Sequence, residues 1–248
     1  MLFALLLVSV LSATDGGTLD EGQRLFYNAR YQEAAALALP LCTAEPADLA
    51  ACELATSALH FQLKRALGDT KDPGKAYPLC AACSAIMTTF MDATTRGQTA
   101  ARARLAADPS DDETKFLLGK LNLNFVWLQL GTLGRKTGWK EYWEARRSLD
   151  EVIARNPGLL RARVARAWID YIVDTRMPRM TKWVLGGGNK KRGLSVVEEV
   201  ANNASAEPFV AAEAIFALWD MQVREKQIPS AILTARRLAR RCRTSTCI

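Results

Sequence analysis

The chain has 248 residues, 49% hydrophobic and 24% charged, with a formal net charge of +7. These proportions exclude a disordered or fibrous chain and leave room for one large domain or two small ones. Alanine and leucine dominate and runs of alternating β-branched residues are missing, so the sequence predicts an all-α protein.

The chain opens with "MLFALLLVSVLSA", an apolar run ending in small residues and followed by the polar "TDGGT". Residues 1–13 resemble a secretory signal peptide, although no Lys or Arg precedes the run. The run is shorter than the roughly 20 apolar residues that a membrane-spanning helix needs. Residues 18–242 then form one helical domain, and residues 243–248 a C-terminal tail. The helical segments expected in order are 18–29, 31–43, 47–67, a long one from Lys75 to Ala106, 112–130, 139–154, 159–174, 190–202, 207–225 and 229–242. Prolines 46, 109, 157 and 208 fall at their ends, and Asp111 or Asp112 can cap the segment at 112. In 159–174, Leu160, Val164, Ala167, Trp168, Tyr171 and Ile172 share one face, as in a helix packed on one side.

Within this punctuation a spacing recurs. In "GQRLFYNARYQEAAALALPLCTAEP", Gly22 and Ala34 sit at small positions and Pro46 follows Ala34 by twelve residues. Ala145 and Pro157 repeat that interval. Ala231, Ala235 and Leu238 fall on the matching face of the last helix, and Gly193, Val197 and Val200 have the same spacing. The pattern resembles the tetratricopeptide repeat, a two-helix unit of roughly 34 residues. The resemblance implies a right-handed α-solenoid of stacked antiparallel helix pairs, about four units. It also implies a non-enzymatic scaffold that binds a peptide or partner protein on its concave face.

The stretch "WVLGGGNKKRGL" poses the question of a nucleotide site. Gly188 and Gly193 have the separation of a phosphate-binding loop, but Leu194 stands where the lysine must be and no strand precedes the loop. The expectation is a bend, with Gly186, Gly187 and Gly188 ending one helix and Asn189 capping the next. Lys190, Lys191 and Arg192 leave an anion loop as the alternative.

His60, the single histidine, sits mid-helix, which leaves little room for metal or triad chemistry. No metal or cofactor is expected. The six cysteines form three local pairs along the chain. Two antiparallel helices joined by "TAEPAD" bring Cys42 to Cys52, so a bridge is predicted there. Cys80 and Cys83 are read as buried thiols or a disulfide, and Cys242 and Cys247 are placed to staple the tail. Local bridges and the N-terminal run together predict export to a periplasm or cell envelope. A thiol-handling role for Cys80 and Cys83 is an alternative function.

The second half is rich in tryptophan. Trp139 and Trp143 beside Arg146, Arg147, Arg163 and Arg166 form the candidate groove for a peptide. Nucleic acid is not expected. A weak membrane-surface contact, through the basic glycine loop and the arginines of "ARRLARRCR", is the remaining alternative.

Overall fold

A computed structural model describes residues 14–177, 179–203 and 205–243. The expected signal peptide at 1–13, and Cys247 in the tail, lie outside them. Among the described residues there is no strand. The helices are α1 (Thr14–Tyr27), α2 (Tyr31–Thr43), α3 (Leu49–Leu67), α4 (Pro73–Ala76), α5 (Cys83–Ala107) and α6 (Asp112–Val126). They continue as α7 (Trp139–Arg155), α8 (Leu160–Arg176), α9 (Arg179–Val184), α10 (Lys190–Asn202), α11 (Pro208–Arg224) and α12 (Ile228–Arg243).

Local chemistry sets these boundaries. The Asp48 carboxylate accepts the N–H groups of Ala50 and Ala51, and Asp111 accepts that of Thr114, so the first turns of α3 and α6 are capped. Pro208 opens α11, where its missing N–H costs nothing.

The single segment expected from Lys75 to Ala106 is instead three pieces. A 3-10 turn at Tyr77–Leu79 separates α4 from α5. Pro78 is the cause: inside a longer helix its ring would meet the carbonyl four residues back and its missing N–H would break the ladder. The 3-10 turn takes that proline in its first positions. The expected segment 112–130 ends as α-helix at Val126 and continues as a wider π turn from Trp127 to Thr132. The six-residue α9 was not expected at all. The last helix runs one residue into the expected tail, to Arg243.

The long helices pack as successive antiparallel pairs. Lys115 of α6 reaches Glu151 near the end of α7, and Arg163 of α8 reaches Glu199 of α10. Small residues set how close they come. A Cβ on Gly97 of α5 would stand 2.9 Å from a Leu121 methyl and 3.0 Å from Cys52 Cβ. One on Gly193 of α10 would stand 2.7 Å from the Ala167 carbonyl of α8. Ala34, Ala145, Ala162 and Ala211 are fully buried at similar crossings. A disulfide joins Cys42 at the end of α2 to Cys52 at the start of α3, with Cα atoms 4.7 Å apart, as the sequence predicted. A second disulfide joins Cys80 to Cys83. Cys242 is buried.

α1, α3, α6, α8 and α11 form an inner layer, while α2, α5, α7, α10 and α12 lie outside it. The first helix also meets the last two. The Asn28 amide after α1 donates to the Cys242 carbonyl of α12 at 3.1 Å, and the Phe26 ring lies 6.0 Å from that of Phe216 in α11. The inner layer therefore curls around a centre.

The close crossings give the first prediction. Gly193→Ala should destabilise the protein by about 1–3 kcal/mol in urea unfolding, despite alanine's better helix propensity. Gly17→Ala, with open space around it, should not destabilise. Equal midpoints for both variants would remove the packing role of Gly193.

Candidate functional site: a cavity inside the helical ring

A cavity of about 910 Å³ occupies the centre of the inner layer. Its walls come from α1, α3, α6, α8 and α11 and from the connections that follow α3, α6 and α8. The geometry follows from the curl: side chains on the inner faces of the first and last pairs converge from opposite sides.

One part of the wall is aromatic. Phe26, Phe61 and Phe216 form a cluster with ring centres 5.5 to 6.0 Å apart, spanning α1, α3 and α11. Trp127, Trp168 and Phe209 line the cavity further along. The Arg224 guanidinium lies over the Trp168 ring at 5.6 Å and pairs with Asp220.

The other part is charged. Glu53 of α3, Lys120 of α6, Arg161 of α8 and Glu213 of α11 meet in one cluster. Lys120 Nζ donates to Glu213 and stands 3.5 Å from Glu53. Arg161 Nε donates to Glu213 Oε2 at 2.8 Å, and its Nη2 reaches Glu53 Oε2 at 3.4 Å. Arg161 also stacks over Phe116 at 4.9 Å. The cluster holds two positive and two negative groups, so its formal charge is zero. Burial alone would raise the Glu213 carboxyl, but Lys120 and Arg161 hold it down at about 2. Burial disfavours the Lys120 ammonium, yet Glu213 and Glu53 outweigh that and raise its pKa. The Tyr27 hydroxyl beside them is pushed well up by burial and by Glu213.

A polar seam extends this floor. Ser57 Oγ donates to Glu53 Oε1 at 3.1 Å, and the Asn124 amide donates to Thr56 Oγ1, Ser57 Oγ and the Glu53 carbonyl. His60 lies one turn along α3 from Ser57, and its Nε2 is 2.7 Å from Thr132 Oγ1. Burial and the nearby Lys64 lower its pKa to about 3, so the ring is neutral at ordinary pH. Ser57 and His60 share the wall but hydrogen-bond to different partners. No serine–histidine pair is assembled.

The candidate groove residues lie elsewhere. None of Trp139, Trp143, Arg146, Arg147, Arg163 and Arg166 lines the cavity. Arg146 donates to the carbonyls of Leu185, Gly186 and Gly187, which pins the glycine loop to α7. Arg166 bridges Asp150 and Asp170, and Trp143 packs edge-on to Tyr142. In the glycine loop the chain's own groups take the positions an anion would use. The Asp174 carboxylate accepts the Lys190 N–H at 2.9 Å, Asn189 accepts that of Arg192, and the Lys190 ammonium pairs with Glu225. Gly186 and Gly187 have φ of +74° and +73°. A Cβ on Gly188 would stand 2.6 Å from α8 backbone atoms, so the glycines serve the bend and the close approach.

Among the described residues, no cluster of three or more His, Cys, Asp or Glu side chains could hold a metal ion. No helix there is long and apolar enough to cross a membrane. Comparison with protein-family models, curated proteins and solved structures returns no match.

His60 gives a pH prediction. Its folded pKa of about 3 lies below the ordinary 6.5, so below pH 6.5 the unfolded chain binds a proton that the folded one does not. The associated stability is complete above pH 6.5 and declines as pH falls. Unfolding free energy should drop by about 2 kcal/mol between pH 6.5 and 4.5. The Glu213 contribution is lost only below its ordinary 4.5, so it stays out of this window. His60→Gln should flatten the profile; an unchanged slope would contradict a neutral, half-buried ring.

Proposed function

We propose that the protein is a non-enzymatic binding scaffold of the tetratricopeptide-like solenoid kind, which receives part of its partner in the central cavity. The observation that carries this reading is the cavity itself: about 910 Å³, walled by the inner helices and the connections after α3, α6 and α8, with an aromatic cluster on one part of the wall and the charge-neutral Glu53–Lys120–Arg161–Glu213 cluster on another. Its volume lies in the range of sites that engulf a small molecule or a few side chains. The aromatic half suits an apolar body. The polar half suits a group that both donates and accepts, because Lys120 and Arg161 are already matched by Glu53 and Glu213.

The solenoid assignment is supported by the five helix pairs, the two layers and the small residues at the crossings. Export to a periplasm or envelope is supported by the two disulfides and by the character of residues 1–13. The binding reading shifts the expected contact surface from the Trp139–Arg166 group to the cavity wall. The ligand, whether a segment of a partner protein or a free amphipathic molecule, meets the same chemistry.

Ala217 lines the cavity, and Ala217→Trp fills it from the wall. The wild type should bind the fluorescent probe anilinonaphthalene sulfonate at one saturable site, and the variant should bind it at least about tenfold more weakly with an unchanged helical circular dichroism spectrum. Affinity capture from the envelope with both proteins separates the ligand sources. A protein lost only with the variant identifies a partner segment, and a small molecule found by native mass spectrometry identifies a free ligand. Equal probe affinity for the two proteins would contradict a binding role for the cavity.

A further inference from the structure

Away from the cavity, the hairpin formed by α9 and the glycine loop carries the most exposed apolar group of the molecule's second half. Met180 is 86% exposed, Trp183 84% and Val184 60%. A tryptophan left this open forgoes most of the stabilisation its burial would bring, so the exposure calls for a partner. Trp139, 42% exposed, adds to the patch: it lines one small cleft with Met177 and Leu185, which places it beside the hairpin.

The chain segments that carry these side chains have charge of one sign. Residues 176–192 contain Arg176, Arg179, Lys182, Lys190, Lys191 and Arg192 and no acidic residue. Residues 133–140, which lead to Trp139, contain Arg135, Lys136 and Lys140, again with no acid. Asp174 and Glu225 reach in from neighbouring helices and pair with Lys182 and Lys190. Arg176, Lys191 and Arg192 make no ion pair with a described residue, and neither do Lys136 and Lys140.

We infer that this patch docks the protein onto an anionic lipid bilayer, with Trp183, Met180 and Val184 entering the head-group boundary and the surrounding lysines and arginines facing the lipid phosphates. Three features point to lipid over another copy of the chain. Two copies of a surface with one sign of charge repel in a symmetric contact. Tryptophan prefers the depth where head groups meet acyl chains. Cations ringing a small apolar tip are the arrangement that binds anionic membranes reversibly. The apolar tip is short, so the attachment is peripheral. Met180, Trp183 and Val184 do not line the cavity, which meets the patch only at Arg176 and Met177.

The test is flotation with vesicles of phosphatidylcholine containing 30% phosphatidylglycerol (a probe composition of about one anionic lipid in three) against vesicles of phosphatidylcholine alone. The wild type should partition onto the anionic vesicles at least about tenfold more strongly, and the binding should fall about tenfold between 0.1 and 0.5 M salt. The double variant Met180→Asp, Trp183→Asp alters only exposed positions, so it should keep its fold and its probe affinity in the cavity while losing vesicle binding. No preference for anionic vesicles, or equal binding by the double variant, would overturn the inference. So would a concentration-dependent dimer that the double variant abolishes, since the patch would then belong to a contact between copies.

Discussion

Two carboxylates and two cations, Glu53 buried and the others half-buried on the cavity wall, tie together four of the five inner helices. Glu53, Lys120, Arg161 and Glu213 come from α3, α6, α8 and α11, and each bond between them crosses from one helix to another. Elsewhere most contacts run within a helix pair or between consecutive pairs, apart from the meeting of α1 with α11 and α12. A stack held only by neighbours can open or close like a spring, because no single contact fixes its curvature. The cluster fixes it across the middle. Such a cluster is a poor way to gain stability, since apolar side chains of the same volume often do as well or better. Its value lies in specificity: a neutral, hydrogen-bonded floor leaves the cavity polar on one side and aromatic on the other.

Two surfaces with different physical characters follow from this arrangement. The cavity is concave, charge-balanced at its Glu53–Lys120–Arg161–Glu213 floor, and built mainly from inner helices that the close glycine and alanine crossings hold in place. The α9 hairpin is open, basic and apolar at its tip, and it hangs from α7 by Arg146. A binding scaffold that docks peripherally on a membrane would place its ligand site near that surface without giving up its own fold. The two disulfides tie local turns and leave both surfaces free.

Much of the fold was legible because it is local. Helix ends announced themselves through Asp111, Asn189 and Pro208, and the turn between α2 and α3 brought Cys42 to Cys52 as its length requires. The glycine bend was readable too, since Leu194 removes the phosphate lysine and no strand precedes the loop. Pro78 was overlooked as a breaker, and α9 was hidden because its six residues are too few for a periodic signal.

The site was less legible, and the reason is distance along the chain. Glu53 and Glu213 are 160 positions apart, and nothing in the spacing of either announces the other. A signal did exist: each stands alone in an apolar run, "LAACELAT" and "FVAAEAIF", as Lys120 does in "FLLGKLNL". A lone charge at a helical core position needs a partner from another helix. The Trp139–Arg166 group attracted attention because tryptophan and arginine mark interfaces by composition; three of its arginines, Arg146, Arg163 and Arg166, are engaged by the glycine-loop carbonyls, Glu199, Asp150 and Asp170. The central claim, that the four charges act as one neutral unit, is tested most directly by a mutant cycle in urea. Arg161→Met should destabilise by about 1–3 kcal/mol because it leaves two carboxylates sharing the single cation Lys120, and adding Glu213→Met should recover most of that loss, since Glu53 and Lys120 remain paired. Additive losses from the two substitutions, or a single-variant loss below about 0.5 kcal/mol, would contradict it.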